Sequence, residues 1–184
     1  MSVHKRKITI DLSAKNIKQA QKELLQYQAE MQRKCLTFVS RLADKGVKVV
    51  MANLGGYGQY VSAMHNSTVV DENVVLCTLE AFNLSPIISE YITLTGLKRV
   101  EVSPIAMAEF GSGWKATNPL SATTGIGQGS FPGQTHAFDP QGWWYLTADG
   151  VWHHSTGQEP KMPMLRAKRR MEREITKTIR EVWG

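Results

Sequence analysis

The sequence predicts an α+β domain in which a long N-terminal helix and a C-terminal helix pack on a small antiparallel sheet, with a long Trp/Gly-rich loop before the last helix. Three observations predict it. Apolar residues recur at steps of three and four from Ile17 to Leu42 and again from Met164 to Val182. β-Branched residues alternate with polar ones between about Thr68 and Val102. Nine of the fifteen glycines crowd into residues 111–161 together with Trp114, Trp143, Trp144 and Trp152, where no long period survives. With 184 residues, 42% hydrophobic and 21% charged, the chain has the length of one domain and enough apolar mass for a core, which excludes a disordered or collagen-like polymer.

The first helix is placed over residues 13–52. Ile17, Ala20, Leu24, Tyr27, Met31, Cys35, Phe38 and Leu42 form its buried stripe, while Lys15, Lys18, Lys22, Glu23, Glu30 and Arg33 lie between them on a wet face. Ser13 supplies a cap, and Leu12 and Ile17 stand where a hydrophobic staple needs them. Gly46 falls on the continuation of the stripe toward Val49, Val50 and Leu54, so the helix is expected to run through it with a close contact there. Gly55-Gly-Tyr-Gly58 ends it.

Strands follow over residues 68–102, at Val74–Leu79, Tyr91–Thr95 and Val100–Val102, read most simply as a meander. Asp71–Asn73, Ser85-Pro86 and Gly96–Lys98 are the expected breaks. Ser103, Pro104 and Gly111 then bracket a short helix over 103–110 with a cap, a proline at its first position and a glycine past its last. Residues 111–161 form the loop, within which Gly142–Trp152 is a hairpin candidate on the turn signal Asp149-Gly150. So dense a set of aromatic rings needs a surface to pack on.

The closing helix is placed over 163–183. Met164, Ala167, Met171, Ile175, Thr178, Ile179 and Val182 fall on one side, and Arg166, Arg169, Arg170, Arg173, Lys177 and Arg180 on the other. The first set is read as core packing. The second is either a solvated face or a surface that meets phosphates or an acidic partner.

Charge and chemistry narrow the function classes. The excess of 22 cations over 16 acids, +6 in all, permits a polyanionic partner without requiring one. Cys35 and Cys77 are too few for a disulfide scaffold and lack metal-ligand spacing, and they read as thiols of a reducing compartment. The basic segment Met1–Lys7 runs straight into Ile8-Thr-Ile-Asp11 without an apolar run, so neither a signal peptide nor a membrane span is predicted, and the cytoplasm is the expected place of synthesis and assembly. Gly125-Ile-Gly-Gln-Gly-Ser130 lacks the Gly-Lys-Ser/Thr ending of a phosphate loop and reads as turn glycines. His136, His153 and His154 near Asp139 and Glu159 lack the spacing of a metal site. No nucleophile motif and no carboxylate pair in a recognisable setting is present. No enzyme activity, metal or cofactor is expected.

Three separated patches resemble those of a known family. Ala106-Met-Ala-Glu-Phe-Gly-Ser-Gly113 is similar to its "apolar-Glu-Phe-Gly-Thr-Gly" signature, with Ser112 standing where threonine is usual. Gly127-Gln-Gly-Ser-Phe-Pro-Gly-Gln134 with Phe138-Asp-Pro-Gln-Gly-Trp-Trp-Tyr145 resembles its aromatic loop, and Pro163-Met-Leu-Arg-Ala167 leading to Ile179-Arg-Glu-Val-Trp183 resembles its closing helix. The family is that of the neck or tail-completion proteins of long-tailed bacteriophages, the gene-product-ten type of head-tail connector component. Residues Ala81–Ser89 depart from it as an insertion in a hairpin.

The resemblance implies a structural virion protein without catalysis, a ring between the portal complex and the tail through whose lumen the genome passes. A hexamer is expected, with a dodecamer as the alternative. Its partners would be copies of itself, the connector or stopper ring above, the tail terminator or tail tube below, and genomic DNA in non-specific proximity, with no membrane. Glu109, Phe110, Gly111, Gly113, Trp114, Phe131, Trp143, Trp144, Tyr145 and Trp152 are then the subunit-interface candidates. The six cations of the last helix are the candidates for facing the DNA channel or an acidic ring. The alternatives are a tail terminator capping the tail tube and, from another class, a non-specific DNA-binding protein.

Overall fold

In a computed structural model of the chain, the described residues are 13–71, 74–85, 87–93, 95–112, 115, 141–146 and 149–184. They form an α+β fold: helix α1 (Ala14–Asn53), a 3₁₀ turn (Gly55–Gln59), strands β1 (Val61–Val69), β2 (Val75–Asn83), β3 (Ile87–Thr93) and β4 (Gly96–Val102), helix α2 (Pro104–Phe110), strands β5 (Trp143–Leu146) and β6 (Trp152–Ser155), and helix α3 (Pro163–Trp183). Both long helices and the short one lie where the sequence puts them.

Ser13 caps α1 by accepting from the amide of Asn16 at 3.4 Å. The staple partner Leu12 lies outside the described residues. Helix α1 passes through Gly46 because that position needs no side chain: a Cβ there would stand 2.8 Å from Met171 Sδ and 3.1 Å from Leu79 Cδ1. The glycine lets α3 and the β1–β2 ribbon both close on α1, at a propensity cost of about 1 kcal/mol relative to alanine. Helix α3 runs antiparallel to α1, with Met171 against Gly46 and Trp183 edge-on to Phe38 at 5.6 Å between ring centroids.

The expected single meander is replaced by three separate two-stranded ribbons, β1–β2, β3–β4 and β5–β6, each antiparallel. The first strand starts at Val61, well before Thr68. Its inward residues explain why it escapes a pattern reading. Val61 and Ala63 face α1 in company with His65 and Ser67, which are polar and find partners there: His65 Nε2 meets Asp44 Oδ1 at 3.0 Å, and Ser67 lies 3.0 Å from Ser40 and 3.0 Å from Cys77. Opposite them in register stand Ala81, Leu79 and Cys77 of β2. Gly96–Lys98, expected as a break, lies inside β4, with Thr93 paired to Gly96 so that the reversal comes just before. The hairpin in the Trp/Gly-rich loop is present, with Trp143 paired to Ser155 and Leu146 to Trp152. Residues 113–114 and 116–140 of that loop, including Gly125–Ser130 and His136, lie outside the described residues.

The apolar core sits at the C-terminal end of α1. Leu54, Val61 and Ala108 are fully buried and are ringed by Tyr57, Tyr60, Ala81 and Ile105. Asn83 joins this core to the next element: its side-chain amide donates to Ser103 Oγ at 2.9 Å, and its oxygen accepts from the Ile105 amide at 3.0 Å. Ser103 in turn caps α2 by accepting from Ala106 N at 3.3 Å. One side chain thereby fixes where β2 ends relative to where α2 begins.

Candidate functional site

The signature around Glu109 has an intramolecular job. Helix α2 ends at Gly111, whose φ of 76° is open to glycine and strained for other residues. A Cβ at Gly111 would meet the Gln158 carbonyl and stand 2.9 Å from Pro160 N. That close approach lets the returning chain pair with Ser112, whose amide donates to Gln158 O at 2.8 Å while Gln158 N donates to Ser112 O at 2.9 Å. Lys161 N and Met162 N then both donate to Ala108 O.

The chain turns into α3 at Met162, φ 51°, without a side-chain cap of its own. Glu109 supplies the missing acceptor. Its two carboxylate oxygens accept from Met164 N at 2.8 Å and Leu165 N at 3.1 Å, so a negative charge sits on the first turn of α3 where the helix dipole favours it. Two of the three patches that carry the family resemblance therefore touch in space. The Tyr57 hydroxyl donates to the Gln158 side chain on the same clasp, Lys161 Nζ stands 5.8 Å from the Tyr57 ring centre, and burial pushes that hydroxyl's pKa up.

The β5–β6 ribbon presents an aromatic face. Trp144 pairs with His154 across the strands, their rings 4.7 Å apart, and Trp152 follows two residues along on the same face. Trp144 is 66% exposed and Trp152 62%, so neither ring is buried by the described residues. The outer face of β1–β2 is mixed: Met64 and Phe82 lie exposed diagonally across the ribbon and Leu76 toward its tip, among Ser62, Asn66, Thr68, Thr78 and Glu80.

Helix α3 is docked by charge as well as by grease. Lys45 of α1 reaches Glu174 Oε2 at 3.2 Å, Thr178 Oγ1 at 2.8 Å and Glu181 Oε2 at 3.5 Å. Glu174, only 9% exposed, also holds Arg170 at 2.9 Å. The hydrogen bond from Lys45 holds the Glu174 carboxyl below its ordinary value against the opposing effect of burial, with the charges of Arg170, Lys45 and Lys177 adding to the lowering. The buried face of α3 is thus rotated from the expected stripe: Ala167, Glu174 and Thr178 are buried, while Ile175 is exposed. Arg166, Arg169, Arg170, Arg173, Lys177 and Arg180 are all exposed, as a single outward face.

Of the interface candidates, Glu109 and Gly111 belong to the clasp, and Phe110 between them is the half-buried last residue of α2. Trp144 and Trp152 are open, Trp143 and Tyr145 sit on β5, and Gly113, Trp114 and Phe131 lie outside the described residues. No protein-family model, curated protein or solved structure matches this chain.

Among the described residues no three His, Cys, Asp or Glu side chains gather as a metal site, and no helix is long and apolar enough to cross a membrane. Sequence reasoning missed Lys45 and its acidic partners. The available signal was Glu174 itself, four residues after Arg170 and beside the apolar stripe.

Proposed function

We propose that this chain is a structural subunit of the neck of a long-tailed bacteriophage, a tail-completion component that closes with copies of itself into a ring joining the head's portal complex to the tail. The observation that carries the reading is the exposed pair of tryptophans on β5–β6, with exposed apolar residues on a second ribbon. Trp144 and Trp152 stand out from β5–β6, and Met64, Leu76 and Phe82 from β1–β2. Surface of this kind marks contact with another protein. Two unlike faces on one subunit suit a head-to-tail contact, and such contacts generate closed rings when the rotation closes.

The resemblance of the Ala106–Gly113, aromatic-loop and closing-helix patches supplies the family. The reading assigns the chain no catalytic step and no cofactor. Its test is assembly. Purified protein viewed by negative-stain electron microscopy is expected to form rings, and the double variant Trp144→Ala/Trp152→Ala to keep its fold but lose them. Rings that persist in the double variant would remove the aromatic ribbon from the interface.

A further inference from the structure

Six cations share one exposed arc of α3. At about 100° per residue, Arg166, Arg169, Arg170, Arg173, Lys177 and Arg180 fall in one arc of roughly a third of the circumference, and no other residue of the helix falls in it. All six are exposed. Glu174 and Glu181 border the arc, but both are engaged by Lys45. Arg170 is shared with Glu174 and Arg166 with Asn53, whereas Arg169, Arg173, Lys177 and Arg180 make no ion pair with a described residue. The docking network thus engages Glu174 and Glu181, while Glu172, the third acid of the helix, is exposed outside the arc.

We infer that this arc is a binding surface for the phosphate backbone of duplex DNA, independent of base sequence. Apart from the adjacent pair Arg169-Arg170, the cations step along the helix by three or four residues, about 4.5–6 Å at 1.5 Å per residue, over a straight run of about 21 Å from Arg166 to Arg180. B-form DNA presents about six phosphates on one strand over that distance. The arc holds no aromatic ring on which a splayed base could stack, which disfavours a single strand. It also holds no apolar residue to form the dry centre of a protein interface, which disfavours an acidic protein partner. The arc carries only Arg and Lys, residues that supply phosphate contacts, and no Asn or Gln to read adenine edges.

The inference does not rest on the neck reading, since it is measured on the free protein: rings without DNA affinity would sink the one and leave the other. The test is fluorescence anisotropy of the full-length chain with a labelled duplex of about 30 base pairs, a single strand of the same length, and polyglutamate as competitor, across a salt series. Duplex binding is expected to weaken about a thousandfold between about 50 and 200 mM salt, a log-log slope near −5. In Arg169→Gln/Arg173→Gln/Arg180→Gln the slope should flatten by about 3, because three counterion-releasing contacts are gone. The matching triple Lys variant should keep the steep slope, and circular dichroism on both checks the helix. Absence of duplex binding at low salt, a Gln variant that binds like the parent, or preference for single strand or polyglutamate would each overturn the assignment.

Discussion

Lys45 Nζ lies 3.2 Å from Glu174 Oε2, and this contact between residues 129 positions apart seats α3 on α1. Its consequence is a defined pH dependence. The carboxyl of Glu174 is lowered from its ordinary 4.5 in the folded chain, so its contribution to stability is present in full above that value and drains away as pH falls through the lowered one. Thermal melting followed by circular dichroism from neutral pH downward should show a steeper acid loss in the parent than in Glu174→Gln, which has no charge to lose. Parallel profiles would mean that the contact contributes nothing on folding.

Glu109 is predicted to matter through α3 rather than through a partner. Removing its carboxylate in Glu109→Ala leaves Met164 N and Leu165 N without their acceptor at a helix start that has no other side-chain cap. The expected cost is about 1–2 kcal/mol in urea unfolding. Glu109→Gln, which keeps one of the two acceptors and loses the charge, should recover part of it.

Gly111 and Gly46 are both close-contact glycines with opposite tolerance. At Gly111 the positive φ and the Gln158 carbonyl forbid a side chain, and Gly111→Ala should cost about 2 kcal/mol or more. At Gly46 the obstruction is the flexible Met171 side chain, so Gly46→Ala should stay within about 1 kcal/mol of the parent as helix propensity offsets crowding. Gly46→Val, larger and β-branched, should lose about 1–3 kcal/mol. The same unfolding series checks all three.

What the sequence made readable and what it hid divide along local and distant interactions. Helix α1, capped by Ser13, and helix α2, capped by Ser103, announce themselves within a few residues, because capping and periodicity are local physics. Strand β1 does not, because His65 and Ser67 point inward for the sake of Asp44 and Ser40 on another element. The rotation of α3 was hidden for the same reason: a buried Glu174 is sensible only once Lys45 is beside it. Gly111 was legible as a helix stop, but the return of Gln158 against it was not. The aromatic ribbon was legible through Asp149-Gly150 and the run of Trp143, Trp144 and Tyr145, yet no period could tell that Trp144 and Trp152 would stay uncovered.

Trp144→Ala and Trp152→Ala should leave the monomer's stability within about 0.5 kcal/mol of the parent, since the two rings are open to solvent in the lone subunit. Unfolding of the variants under conditions where the parent is monomeric checks this, and a loss of several kcal/mol would mean that the rings belong to the chain's own core.

The central claim is that this protein works by closing with its own copies. Sedimentation velocity on the purified chain over a wide concentration range, paired with negative-stain images of the same samples, tests it most directly. A discrete ring species of fixed symmetry that grows at the expense of monomer is the predicted result; a single monomeric species at every concentration would contradict it.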